Sequence, residues 1–456
     1  MASNKILVSR RAILAGAGSM LLVSSASRVH SQAAPETASD GFHVLRAKSA
    51  TASLAGDGKP ATPAWSYSNL VPGPTLRVRR GAELKVRLIN ELTQPTAIHW
   101  HGIRGPNAMD GVPHLTQAPV EAGKQFDYRF APPEAGTYWY HAPLSAPEQN
   151  ARGLSGALIV DEERAVDADR ELVLLIQSFD LLASGEIDPQ TWEQGAQRSR
   201  SGVTTVTTVN GKPSLDVEVR TNERLRMRLI NATSARIVAL RLEGMPCIVS
   251  AIDGQPAEAF APRQGRVQLG PGNRVDLFAD AAITAGASAS LILESEGGGT
   301  PLVRFTLATG APARAEPRKD IPSLPATSLP ARMDFARSVR AELPLGGEIK
   351  PAKTESGKAA GGPYGPALFN VKRGRTVMLA IPNRTATAQV VHVHGHQFRL
   401  LDALDDGWKP YWLDTLIVDT QRTSRIAFVA DNPGKWLIES HPIRAGGVSF
   451  TWFEVT

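Results

Sequence analysis

Three stretches of this chain repeat one pattern, and that repetition limits the fold more than any other feature of the sequence. "GPTLRVRRGAELKVRLINELT" runs from Gly73 to Thr93, "KPSLDVEVRTNERLRMRLINAT" from Lys212 to Thr233, and "GPALFNVKRGRTVMLAIPNRT" from Gly365 to Thr385. Each reads as a strand, a tight polar turn, and an alternating strand that ends in Asn. In the first copy Leu84, Val86 and Leu88 fall on one face, and Lys85 and Arg87 on the other. That is the period of a sheet with one packed face. Each copy runs on into a further strand, "AIHWHGI", "RIVALRLEG" or "QVVHVHGHQFRLL". Farther along, "EAGKQFDYRFAPPEAGTYWYH" matches "QRTSRIAFVADNPGKWLIESH", with "GPGNRVDLFAD" at the corresponding place in the middle copy.

Short alternating strands with regularly spaced turns predict an all-β chain of three consecutive Greek-key β-sandwich domains. The 456 residues, 42% of them hydrophobic, suffice for three cores of ordinary size. The spacing places the sandwiches at 34–163, 164–310 and 332–456, with a Pro- and Ala-rich linker at 311–331. "KPAKTESGKAAGGPYGP", Lys350 to Pro366, reads as a mobile loop.

Residues 1–33 read as a leader. In "SRRAILAGAGSMLLVSSA" a twin arginine precedes an apolar stretch that Gly and Ser interrupt. The stretch is too short and too broken to span a bilayer. It predicts periplasmic delivery by the twin-arginine export machinery, cleavage near Ser31-Gln32-Ala33, and no stable membrane span afterwards. That route carries folded proteins, which suits one whose cofactor is loaded before export. Lys5, Arg10, Arg11 and Arg28, with no acids among them, account for four of the six net positive charges. With no basic block interleaved with aromatics elsewhere, no nucleic-acid partner is expected. The one cysteine, Cys247, allows no intrachain disulfide, and "GMPCIVSAIDG" marks it as a buried thiol in a strand.

The chain holds ten histidines, and seven fall in "IHWHG", "YWYHAP", "HVHGH" and "ESHP". Alternate residues of a strand share a side, so His99 and His101 can aim at one point, as can His392 and His394. Imidazole suits copper, zinc and iron. The middle unit has no histidine, so a metal site is expected between the first and third units. His43 and His114 read as turn or surface residues. His396 reads as a packing residue or a donor beside the ligands.

"HWHG", "MDGVPHLTQ", "GTYWYH" and "HVHGHQF" resemble the copper motifs of the three-domain multicopper oxidases, the laccase-like proteins. The resemblance covers nearly all of the chain after the leader. It implies three cupredoxin domains, a type 1 copper in the third that oxidises substrate, and a trinuclear cluster between the first and third that reduces dioxygen to water. At the type 1 positions this sequence has Gln389, Ser440, Ala445 and Phe450, none of which replaces a family ligand. A serine hydroxyl lacks the soft sulfur that binds copper and carries electrons onward. The resemblance makes His99 and His392 the type 2 pair. It gives one type 3 copper His101, His141 and His441, and the other His394, Pro143 and Glu439. Proline has no donor, and glutamate offers a harder oxygen. One or two metal ions are therefore expected, copper first, with zinc as the rival because three histidines and an open fourth position also suit metal-activated water. Asp110 matches an acidic residue that assists proton delivery near the type 2 copper; it also reads as a turn aspartate before Gly111. Glu439 reads either as a residue at the metal or as a partner of Arg444.

Asp110 and Glu439 are thus the catalytic candidates, and His99, His101, His141, His392, His394 and His441 the metal candidates. The implied function is a copper-dependent oxidoreductase, not a conventional laccase, acting on a small-molecule or metal-ion substrate with dioxygen. One alternative is a non-catalytic periplasmic scaffold, as in cell-division proteins built of cupredoxin repeats. Another is a copper-binding protein, although the seven methionines form no Met-rich segment.

Overall fold

The computed structural model describes residues 35–143, 145–193, 201–284, 286–320, 324–347, 364–401, 409, 411–443 and 447–456. The leader, residues 350–363 of the expected mobile loop, and Arg444 and Ala445 lie outside the described residues.

Two sheets form in each third of the chain. The three repeats use one pairing scheme. His43–Ala52 lies parallel to Leu84–Asn90, which pairs antiparallel with Gln125–Phe130. Arg170–Leu182 lies parallel to Arg224–Asn231, which pairs with Arg274–Asp280. Val339–Glu342 lies parallel to Arg375–Pro382, which pairs with Thr423–Ala430. The chain is nearly all β, with short α-helices at Pro147–Ala151 and Gln190–Glu193. No described helix is long and apolar enough to cross a membrane.

The asparagine that ends each repeated strand has a common task. Asn90 Nδ2 donates to the carbonyls of Gln94 and Val120, both at 2.8 Å. Asn231 does the same to Arg236 and Leu269, and Asn383 to Thr387 and Val418, all at 2.9 Å. Each side-chain oxygen accepts the amide two residues on, from Leu92, Thr233 and Thr385, at 3.0 Å. The side chain thus satisfies buried backbone groups that a turn leaves without ladder partners.

Leu84, Val86 and Leu88 are buried in the first core, as their alternation predicts. The middle copy differs: all eight residues of Arg224–Asn231 are buried. Its second face is covered by charge pairing rather than left to solvent. Arg226 donates to Glu162 and Asp276, both at 2.7 Å, and Arg228 to Thr137 at 2.9 Å. Trp139 and Ala157 pack against Leu175 and Ile230 beside them. Cys247 is buried in the strand Cys247–Ile252, and burial pushes its thiol up to about 11.

Candidate metal centre

The strand His99–His101 pairs antiparallel with Gly136–His141, which registers His99 opposite His141 and His101 opposite Trp139. Trp100 and Tyr140 face the other way, into the first core, with ring centroids 5.8 Å apart. Alternation therefore sends the three imidazoles out of the first sandwich. The last sandwich mirrors this. Val391, Val393, Trp436 and Ile438 point into its core. His392 is registered opposite Glu439, so both lie on the outward face, which His441 shares two residues on.

The two outward faces meet. His99 Nε2 and His392 Nε2 stand 3.3 Å apart. The other ring nitrogens fix the tautomers: His99 Nδ1 lies 2.9 Å from the Asp110 carbonyl, and His392 Nδ1 lies 2.9 Å from that of Asp414. A carbonyl only accepts, so each Nδ1 carries the hydrogen and each Nε2 presents a lone pair. Two lone pairs aimed at each other need a cation or a proton between them.

A second pair is built the same way. His101 Nδ1 and His141 Nε2 are 3.3 Å apart. His141 Nδ1 donates to the Ala142 carbonyl at 2.6 Å. His101 Nε2 lies 2.8 Å from Thr415 Oγ1 and 3.4 Å from Asp414 Oδ1, so its hydrogen points there.

His394 stands at the side of the first pair. Its Nδ1 is 3.0 Å from Asp110 Oδ2, and its buried Nε2 has no hydrogen-bond partner and lies 3.6 Å from Glu439 Oε2. Among the described residues, two trios have donor atoms within 4.8 Å of one another: His99, His101 and His392, and His99, Asp110 and His394. His441 is buried on the same strand face as Glu439 but belongs to neither trio. Pro143, Tyr364 and Phe450 line the recess beside His141, His394 and Glu439.

Electrostatics separate the rings into two kinds. Burial lowers His392 and His441, takes His141 down to about 3, and, with His392 nearby, holds His101 well below the usual range. These rings are neutral at pH 7 and free to donate lone pairs. Burial would lower His394 too, but the Asp110 and Glu439 carboxylates override it and raise this ring to about 10. Burial likewise opposes ionisation of both acids. The His394 cation overcomes it, holding Glu439 at about 2 and Asp110 well below the carboxylate range. Without metal, the proton of this cluster therefore sits on His394.

The donor set suits copper. It offers imidazole nitrogens with fixed tautomers, two facing pairs, and a further buried nitrogen without a partner.

Three of the expected type 1 positions, Gln389, Ser440 and Phe450, line one cavity. Gln389 and Ser440 lie on the core side of their strands and line a cavity of about 350 Å³. Gln389 Nε2 donates to Thr385 Oγ1 at 3.0 Å and Thr387 Oγ1 at 3.2 Å. Phe450 is registered opposite Glu439 and so belongs to the histidine side, with its ring 5.7 Å from that of Tyr364. Phe450 also lines the cavity that Gln389 and Ser440 share.

His114 is exposed in a left-handed turn, as expected. His43 instead opens the strand His43–Ala52. His396 packs among Phe428, Trp436 and Phe453, with Nδ1 3.2 Å from the His394 carbonyl. Sequence reasoning missed Asp414, Thr415 and Arg274, which hold the rings from behind. In "WLDTLIV" and "GNRVDLF" a charged residue in an alternating strand reads as solvent-facing, and nothing local shows that another sandwich covers it.

Multicopper oxidase family models match residues 48–165 and 337–443. The multicopper oxidase MmcO of Mycobacterium tuberculosis is 27% identical over 425 residues, covering 84% of this chain and 81% of that protein. Copper resistance protein A of Escherichia coli is 29% identical over 230 residues, 41% of this chain and 38% of that one. The crystal structure of a multi-copper oxidase from Pseudomonas thermotolerans superposes with a TM-score of 0.75 at 31% identity, covering 91% of this chain and 99% of that one.

Proposed function

Since this chain belongs to the multicopper oxidase family, we propose that it is a periplasmic copper-dependent oxidoreductase whose type 1 site is lost and whose reduced type 2/type 3 centre lies between the outer sandwiches. The domains are cupredoxin-like, over 34–163, 164–310 and 332–456, and the leader delivers the folded protein by the twin-arginine route. The observation that carries this reading is the pair of 3.3 Å gaps between facing imidazole nitrogens. Each gap needs a cation or a proton, and paired imidazole nitrogens suit copper.

Copper, when bound, supplies the one-electron chemistry that organic side chains lack. The residues of the chain do the rest. His99, His392, His101 and His141 present ring nitrogens in fixed directions, and His394 adds a fifth once it yields its proton. Asp110 accepts the Nδ1 hydrogen of His394 and stays anionic, so it orients that ring and can pass a proton inward. Glu439 faces the other side of His394 and supplies an oxygen where Pro143 supplies nothing. With Gln389 and Ser440 in place of type 1 ligands, electrons do not pass through a thiolate relay, and the reducing substrate acts at the remaining centre. Copper resistance protein A among the relatives makes a metal ion, cuprous ion above all, a substrate to test beside phenols.

The test is oxygen uptake by the copper-loaded protein with cuprous ion, phenols and ascorbate, alongside metal counting. Uptake with at least one reductant, without blue absorption, is expected. A folded protein that takes up no copper would support the scaffold reading instead.

A further inference from the structure

We propose that Arg274, from the sandwich that contributes no histidine, is a positioning residue for both histidine pairs, acting through Asp414 and Thr415. The proposal rests on the copper reading only for its metal measurements; the geometry stands in the protein alone.

Arg274 is fully buried where all three sandwiches meet. Its Nη1 and Nη2 donate to Asp414 Oδ1 and Oδ2 at 2.8 and 2.6 Å, a two-pronged pairing that fixes the carboxylate plane. Nη1 also reaches the Gly272 carbonyl at 3.0 Å, and Nε that of Thr137 at 3.2 Å. Asp253 Oδ1 stands 3.6 Å away. The guanidinium is thus held from the first, middle and last sandwiches at once.

Asp414 passes that orientation on. Its Oδ1 accepts from Thr415 Oγ1 at 2.8 Å. The same hydroxyl lies 2.8 Å from His101 Nε2 and 2.9 Å from His392 Nδ1. These two rings, one from each outer sandwich, stack at 3.7 Å with an interplanar angle of 17°. Each belongs to a different facing pair. The hydroxyl and the carboxylate therefore decide which nitrogen of His101 keeps its hydrogen, and so which one points a lone pair at His141, while the hydroxyl joins the Asp414 carbonyl in holding the His392 ring.

The backbone makes room for this arrangement. A Cβ on Gly102, at φ +86°, would fall 2.3 Å from Arg274 Nη2 and 2.6 Å from Asp414 Oδ2. A Cβ on Gly272, also at positive φ, would fall 2.8 Å from His101 Cε1. A purely structural ion pair elsewhere in the interface, such as Arg226 with Asp276, makes no such contact with a histidine.

The test compares Arg274→Lys with Arg226→Lys. Lysine keeps the charge but cannot grip both carboxylate oxygens. In Arg274→Lys copper affinity is expected to fall about 10- to 100-fold, the usual effect of losing a partner behind the ligands. The electron paramagnetic resonance signal is expected to shift. Arg226→Lys is expected to lower the unfolding midpoint while leaving affinity and signal unchanged. Equal effects from both variants, or an unchanged signal in Arg274→Lys, would overturn the proposal. Nitrogen-15 shifts of the imidazoles in the metal-free protein decide it independently of copper. The parent should show hydrogen on His101 Nε2, and Arg274→Lys a mixture of tautomers at that ring; an identical His101 spectrum would contradict the positioning role. Thr415→Val, which removes only the shared hydroxyl, gives the same readout if Arg274→Lys does not fold.

Discussion

His99 Nε2 and His392 Nε2 face each other across 3.3 Å, although 293 residues separate them in the chain. Both nitrogens are acceptors, because carbonyl oxygens claim the hydrogens on the opposite side of each ring. Two packed sandwiches hold this contact in place, and it becomes attractive when a cation or a proton enters.

Copper should therefore stabilise the fold. At a hundredfold excess over the dissociation constant the gain is about 2.7 kcal/mol, read as a rise in the unfolding midpoint. His392→Ala should lose most of that rise while leaving the metal-free midpoint unchanged or higher, since the lone-pair contact goes with it. An equal copper-induced rise in parent and variant would remove this pair from the metal site.

The metal-free protein should be most stable near pH 6.5, as far as the centre decides it. Going up, His394 is bound to its proton more tightly in the folded state, with a folded value of about 10, so its contribution is complete below 6.5 and lost as pH rises through 10. Going down, His141 resists protonation until about 3, and His101, His392 and His441 are lowered in the same direction. The unfolded chain binds those protons first, so stability falls as pH drops from 6.5 towards 3. Denaturation midpoints measured from pH 4 to 10 check both slopes. A His394→Gln variant should flatten the alkaline one.

Asp110→Asn keeps the shape but loses the charge that holds the His394 proton. Oxygen uptake by the copper-loaded variant should fall about 100-fold or more, the usual weight of a positioned proton carrier. An unchanged rate at matched copper content would return Asp110 to the role of a turn residue.

The three strand-ending asparagines offer a test of the fold alone. Asn90→Ala abandons the buried carbonyls of Gln94 and Val120, at a cost of about 1–3 kcal/mol each. Chemical denaturation measures it, and a loss below about 1 kcal/mol would mean that water or another donor takes over.

Much of this architecture is legible in the sequence because it rests on period two. Leu84, Val86 and Leu88 announce their packed face, and the spacing of His99 with His101 and of His392 with His394 announces a shared side. The rest depends on what covers an exposed-looking position. Arg226, Arg228 and Arg274 alternate as surface residues do, yet each is buried by a neighbouring sandwich. Asp414 and Thr415 gain their role only when His101 arrives from more than three hundred residues away.

The most direct measurement is electron paramagnetic resonance with metal counting on the copper-loaded protein and on its His99→Ala/His392→Ala variant. One or two coppers per chain are expected in the parent, with a normal copper signal and no blue thiolate absorption, and the variant should lose one copper together with its signal. A blue band in the parent, or a copper count and signal unchanged by loss of both histidines, would contradict a centre held between the outer sandwiches.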